Sequence, residues 1–203
     1  MTVPGNMSQF WDQRYNTEEY AYGRKANVFF SAQLASMSPG HILLPGEGEG
    51  RNAVFAAKQG WEVHAFDSSK TAQQKALDFA LSEKVVINYD FLDLANFVPE
   101  PETYDLIALV FVHMYEGMRQ TFHNKMVQSL KKGGIILVES FAKEQINNNT
   151  GGPPDIKMLY STEILKKDFQ DLKILKLCQE RTTLNEGHHY GEADVVRFIG
   201  RKV

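Results

Sequence analysis

The chain has 203 residues, with 22 Lys+Arg against 25 Asp+Glu, a net charge of −3, and 43% apolar residues. This balance suits one globular domain and lacks the basic footprint of a nucleic-acid binder. No run approaches the about 20 apolar residues that a membrane span needs, and the single Cys178 excludes an internal disulfide or a multi-cysteine metal site. The opening Met1–Gln9 lacks the charged and apolar regions of a signal peptide, so a reducing, cytoplasmic location is expected. The sequons at Asn6 and Asn148 are then read as chance matches.

Phe10-Trp11-Asp12-Gln13-Arg14-Tyr15 is expected as a short helix, followed by Tyr20-Ala21-Tyr22-Gly23. Residues 1–38 are read as an aromatic and helical N-terminal segment ahead of an α/β core over 39–203. Val28, Phe29, Ala32, Leu34 and Ala35 give a helix from Asn27 to Met37, ended by Pro39-Gly40. Ile42-Leu43-Leu44 is a strand running into Gly46-Glu47-Gly48-Glu49-Gly50, and residues 51–59 form a helix closed by Gly60. Trp61–Phe66 nearly alternates and ends at Asp67 as a second strand. A helix follows from Lys70 to Leu81, then a third strand at Val85-Val86-Ile87 ending near Asp90.

Leu106–Val112 is the longest apolar run and suits a central strand buried on both faces. Met118, Phe122, Met126 and Leu130 make one helical stripe, stopped by Lys131-Lys132-Gly133-Gly134 before a fifth strand at Ile135–Val138. A loop over Asn147–Pro154 and a helix near Thr162–Asp168 lead to two strand-like runs, Leu172–Leu177 and Val195–Ile199. The polar interval between those runs is too short for a helical crossover, so they are expected to pair antiparallel. The alternation predicts a doubly wound, mostly parallel sheet with helices on both faces and a C-terminal hairpin.

In such a sheet, ligands bind beyond the carboxyl ends of the strands, where the strand order reverses. Three glycines let the backbone approach a ligand, and Asp67, 21 residues after Gly46, stands where a carboxylate accepts both ribose hydroxyls. The segment Gly48-x-Gly50-x-x-Ala53 also fits the looser dinucleotide pattern. However, Glu47 and Glu49 would face pyrophosphate charges, a repulsion of several kcal/mol, on the order of 4 per close pair, at moderate dielectric. A cationic sulfonium and an ammonium would not be repelled, which favours S-adenosylmethionine.

Gly46–Ala53, Phe66-Asp67, Asp90-Phe91-Leu92-Asp93-Leu94 and Tyr104–Ile107, with Phe10-Trp11-Asp12-x-Arg14-Tyr15 and Tyr22-Gly23 in front, resemble class I methyltransferases. The chain looks most like their tellurite-resistance and thiopurine-type branch, from about residue 10 to 202. The resemblance implies a methionine-side contact by Gly46, Glu47, Gly48, Gly50, Arg51 and Asn52. It implies ribose contact at Asp67 and Ser68, and adenine contact at Asp90, Phe91 and Leu92. The backbone of Val110 and Phe111 would flank the amino-acid end, and Trp11 and Tyr22 would belong to a lid. One departure is Glu47, where a Cys is usual; it is expected to take over contact with the ammonium.

Plainer roles compete with these. Asp67 suits a helix cap, Asp90 a loop acid, Trp11, Tyr15, Tyr20 and Tyr22 packing, and His113 a structural role at a strand end. His188-His189 lack a third ligand at metal-site spacing, so no metal is expected, and they are placed at the substrate mouth. Cys178 is read as inert core. The expected reaction is an in-line methyl transfer to a small acceptor (a thiol, chalcogen oxyanion, amine or hydroxyl) with no nucleic-acid or membrane partner. Such a transfer needs alignment and exclusion of water more than a base, so no catalytic residue is named. A nicotinamide-dependent oxidoreductase and a non-enzymatic cofactor sensor stand as alternatives. The residues specify neither the acceptor nor an oligomeric state.

Overall fold

The computed structural model describes residues 7–203; Met1–Asn6, and with them the first sequon's Asn6, lie outside the described residues. Two short helices, α1 (Met7–Tyr15) and α2 (Val28–Leu34), precede β1 (His41–Pro45), α3 (Arg51–Lys58), β2 (Glu62–Asp67), α4 (Lys70–Ser82) and β3 (Asn88–Phe91). Then come β4 (Tyr104–Val110), α5 (Glu116–Ser129), β5 (Leu130–Phe141), α6 (Thr162–Asp168), β6 (Leu172–Glu186) and β7 (His189–Lys202). The strands form one sheet in the order β3-β2-β1-β4-β5-β7-β6. β1 to β5 pair in parallel, and β7 pairs antiparallel with both β5 and β6. This is the doubly wound sheet with a terminal hairpin that the element order predicts. No helix among the described residues is long and apolar enough to cross a membrane.

Continuous apolar runs make the central strands because alternate residues enter two different cores. Ile42 and Leu44 of β1, with Leu106 and Ala108 of β4, pack under Phe30, Val54 and Phe79 of α2, α3 and α4. Leu43, Ile107 and Leu109 face the other way, under Phe122 and Met126 of α5 and Leu165 of α6. Burying both faces leaves only the strand ends open to a ligand.

Four boundaries differ from the sequence expectation; one is the fifth strand, which begins at Leu130, not Ile135, so Leu130 leaves the α5 stripe. The third strand lies at Asn88–Phe91, not Val85–Ile87. Val85 instead closes α4, its N–H donating to Ala80, and Val86 is 85% exposed. Pairing decides the strand: Asn88 to Phe91 lie in register with His64 to Asp67. β4 stops at Val110, before the apolar run ends, because Phe111 adopts a left-handed φ of +56° while its N–H bonds to Glu139. The hairpin is far longer than the two apolar runs. β6 and β7 stay paired from Leu172–Lys202 to Glu186–His189, so the polar interval is itself strand. It reads as loop in sequence because β6 is a half-exposed edge.

Candidate functional site

The strand order reverses between β1 and β4, and the site assembles at their carboxyl ends. Leaving β1, the chain turns through Gly46, Gly48 and Gly50, all at positive φ. Gly48 is held on both sides. Its N–H donates to Asp67 Oδ2 at 3.0 Å and its carbonyl accepts the Tyr89 hydroxyl at 2.5 Å. A Cβ there would lie 2.7 Å from the Tyr15 hydroxyl. Gly50 opens α3 at φ +85°, where a Cβ would meet that of Ala76 at 2.7 Å, so α3 and α4 pack closely only around a glycine.

Asp67 is buried at the end of β2, its second oxygen accepting the Ser69 N–H at 2.9 Å. Ser69, not Asp67, caps α4, its hydroxyl accepting from Ala72, and the Ser69 hydroxyl in turn donates to Asp12 of α1. The plain capping role is therefore filled by another residue. Burial pushes the Asp67 carboxyl up to about 6, against the N–H donors of Ser69, Gly48 and neighbouring Ser68.

Glu47 differs from the expectation that it meets an ammonium group. Its carboxylate turns into the start of α3, accepting the N–H of Asn52 at 2.7 Å and of Ala53 at 2.8 Å. It thus satisfies donors that the first helical turn leaves free. Burial pushes this carboxyl up to about 7, partly offset by those bonds. Asn52 accepts the Asn27 N–H at 2.9 Å, and the Asn27 amide donates to Glu139 and Glu186. Arg51 pairs with Glu186 at 2.8 Å, and Arg197 bonds Glu139 at 2.6 Å. This buried network beneath the glycine loop escapes sequence reasoning except for one signal: Glu139 directly follows the apolar run Ile135–Val138.

At the end of β4 the surroundings are aromatic. Phe111 stacks on Phe141 at 4.6 Å between ring centres and meets His189 edge-on at 4.7 Å; Tyr22 lies 4.5 Å from His189. His189 is buried with no partner for Nδ1, and burial, aided by Arg51, pushes it down to about 3. His113 is held at both nitrogens, by the Met158 carbonyl at 3.0 Å and the Phe141 N–H at 3.3 Å, which confirms a structural role. Burial pushes it down to about 4. Neither imidazole carries charge at neutral pH.

The predicted adenine side is split. Asp90 pairs with Phe66 in the ladder while Asp67 pairs with Phe91, so their side chains lie on opposite faces. Asp90 is exposed and bonds His64 Nε2 at 2.8 Å, whose Nδ1 meets the Tyr104 hydroxyl at 2.5 Å. Phe91 is half-exposed beneath the Lys70 ammonium, and the Leu92 N–H donates to the Asp67 carbonyl at 2.9 Å. Trp11 stacks on Tyr15 at 5.6 Å, so the N-terminal aromatics do reach the glycine loop. A groove of about 600 Å³ beside Lys25, Phe55 and Lys58 lies on the outer side of α3 and α4 and touches the site only at Arg51. Among the described residues, no group of His, Cys, Asp and Glu is placed to hold a metal.

Comparison with known proteins gives the family and the fold. The "Probable thiol methyltransferase 2" of Arabidopsis thaliana is 30% identical over 125 residues, 60% of this chain and 54% of that protein. The chain spans 54% and 36% of the lengths of two curated relatives it matches. The N-methyltransferase NodS of Bradyrhizobium japonicum WM9, solved with S-adenosyl-L-homocysteine, shares the fold at TM-score 0.75 and 15% identity, covering 97% of this chain and 98% of that one. TehB of Haemophilus influenzae does so at TM-score 0.72 and 18% identity, over 97% of this chain and 67% of that one. Residues 7–200 match the family model described as tellurite resistance protein TehB, and the chain belongs to that family.

Proposed function

We propose that this protein is an S-adenosylmethionine-dependent methyltransferase acting on a small acceptor, with its N-terminal segment as a lid. The observation that carries the reading is the clasp of Asp67 on Gly48, roofed by Tyr15 and flanked by Glu47 and Glu49. The donor set fits the cofactor. Asp67 has lone pairs left for ribose hydroxyls after its backbone bonds. The same set opposes a dinucleotide, because Glu47 holds the anion position at the start of α3 where a pyrophosphate would lie. The free Cys178 fits a reducing compartment such as the cytoplasm.

When bound, the cofactor would supply a methyl group on a sulfonium leaving group. The chain's own part is to align and to exclude water. Asp67 would hold the ribose, the glycine loop would lie along the methionine part, and Phe111, Phe141 and Tyr22 would wall a dry acceptor side. His189 is neutral there, so the acceptor side carries little charge, which suits a nucleophile whose reactivity does not depend on a charged base. Calorimetric titration with S-adenosylmethionine, S-adenosylhomocysteine and NAD(H) tests the reading. Binding of the first two and not the third is expected. Saturable NAD(H) binding alone would replace it with an oxidoreductase, and cofactor binding without methyl transfer to thiols, amines, hydroxyls or chalcogen oxyanions would favour a sensor.

A further inference from the structure

From the last residue of α1 to the start of α2 the chain crosses the glycine loop as a strap of residues 15–27. Its apolar anchorage is divided: Tyr20 and Ala26 pack against one main core, while Tyr15, Ala21 and Ala72, with Trp11 and Tyr22 against them, form a small separate cluster. Arg24 reaches Ser82 and Glu83, and Arg51 donates to the Tyr22 carbonyl, but the largest group of polar contacts converges on one side chain. Lys75 of α4 donates to the carbonyls of Tyr15 at 3.3 Å, Thr17 at 3.0 Å and Glu19 at 2.7 Å. It also pairs with Glu49 and lies 4.8 Å from the Tyr20 ring centre. Glu49, buried in the glycine loop, accepts the Ala21 N–H at 2.7 Å with its other oxygen. Beyond Ala21, the tip of the β6–β7 hairpin completes the hold: the His188 N–H donates to the Ala21 carbonyl at 2.8 Å.

An ammonium group has three donors and no acceptor; here they go to the three carbonyls, and the contact with Glu49 is an ion pair without a hydrogen bond. These partners belong to two segments, the strap and the glycine loop, that nothing in the local sequence ties together. We propose that Lys75 is a positioning residue that latches the strap onto the glycine loop through Glu49, and so controls entry to and retention at the cofactor site. The proposal rests on the cofactor reading above for its consequence, but not for its geometry. With Lys75 replaced by Met, the stem still packs while three strap carbonyls lose their donor and Glu49 loses its counter-charge. The strap should then open locally without unfolding the sheet.

Hydrogen exchange on the full ligand-free chain tests the latch. In Lys75→Met, the amides of Ala21 and His188 should exchange about tenfold faster, while those of β4 and β5 keep their rates. Trypsin should cut faster after Arg14, Arg24 and Lys25, which are exposed. Lys75→Arg should restore most of the protection. Glu49→Gln, which keeps an acceptor for Ala21 but loses the charge, should show a smaller acceleration at the same two amides and serves if Lys75→Met does not fold. S-adenosylhomocysteine should bind Lys75→Met more weakly, and in turnover KM for the cofactor should rise with kcat retained. Wild-type exchange at Ala21 and His188 in both variants would overturn the latch, as would equal acceleration throughout β4 and β5. An opened strap with unchanged cofactor affinity would overturn the control of retention. Failure of the wild type to bind S-adenosylhomocysteine would sink the cofactor reading alone, since the exchange rates decide the latch by themselves.

Discussion

The two halves of the site are built in opposite ways. At the ends of β1 and β2, buried carboxylates are held by backbone N–H groups: Asp67 by Gly48 and Ser69, Glu47 by Asn52 and Ala53. At the ends of β4 and β7, by contrast, aromatic rings surround a neutral His189 with an unpartnered nitrogen. The polar half suits a constant group recognised by fixed hydrogen bonds. The aromatic half offers shape and dryness and little charge, which suits a reaction whose reactivity arrives with the ligand. In the proposed reading, recognition and reaction would fall to different strands of one sheet.

The strongest way to break this division is Asp67→Ala. Affinity for S-adenosylhomocysteine should fall by about 1.5–3 kcal/mol for each charge-assisted bond lost, measured by calorimetry. Unchanged affinity with a lower thermal midpoint would mean that Asp67 only closes the turn. On the other half, Phe111→Ala should slow methyl transfer by roughly tenfold, about 1.4 kcal/mol of barrier, while cofactor affinity stays within about twofold. An equal loss in both would merge the two halves. The rate should also show no imidazole step between about pH 6 and 8, since burial holds His113 and His189 neutral there.

Glu47 and Asp67 together give a pH test. Their carboxyls lie above the ordinary values in the folded chain, at about 7 and about 6, so the folded state holds protons that the unfolded chain has released. Their contribution to stability is full below the unfolded values near 4 and is lost as pH rises through about 6 and 7. The thermal midpoint should therefore rise on acidification from about pH 8 to 5, and Glu47→Gln should flatten that rise. Binding of S-adenosylmethionine should strengthen as pH rises through about 6, as the Asp67 carboxylate that would hold the ribose ionises. A midpoint independent of pH in the wild type would contradict the burial of both groups. The smallest effect is expected for Asp90→Asn, because that side chain lies on the far face with His64. Cofactor affinity should change by less than about twofold, and a larger loss would return Asp90 to the adenine side.

Much of the fold was legible because burial on two faces and the 3.6-residue period leave marks within short windows, as at Leu106–Leu109 or along Phe122 and Met126. Glycine spacing and the place of Asp67 were legible for a related reason: turns and strand ends impose local residue types. The third strand was misplaced because Val85–Ile87 has strand composition but no partner strand, whereas Asn88–Phe91 has one. The polar part of the hairpin was missed because a half-exposed edge needs no apolar run.

Composition, periodicity and the glycine–acid order by themselves determined a doubly wound sheet, the position of its ligand loop, and the sign of charge around that loop. Which way each charge points was decided only by tertiary structure. Glu47 caps a helix instead of waiting for a ligand, Asp90 turns to the other face, and Lys75 reaches back to carbonyls up to 60 residues earlier. Chain propensities act over a few residues, while a buried charge must find its partner wherever the fold brings one.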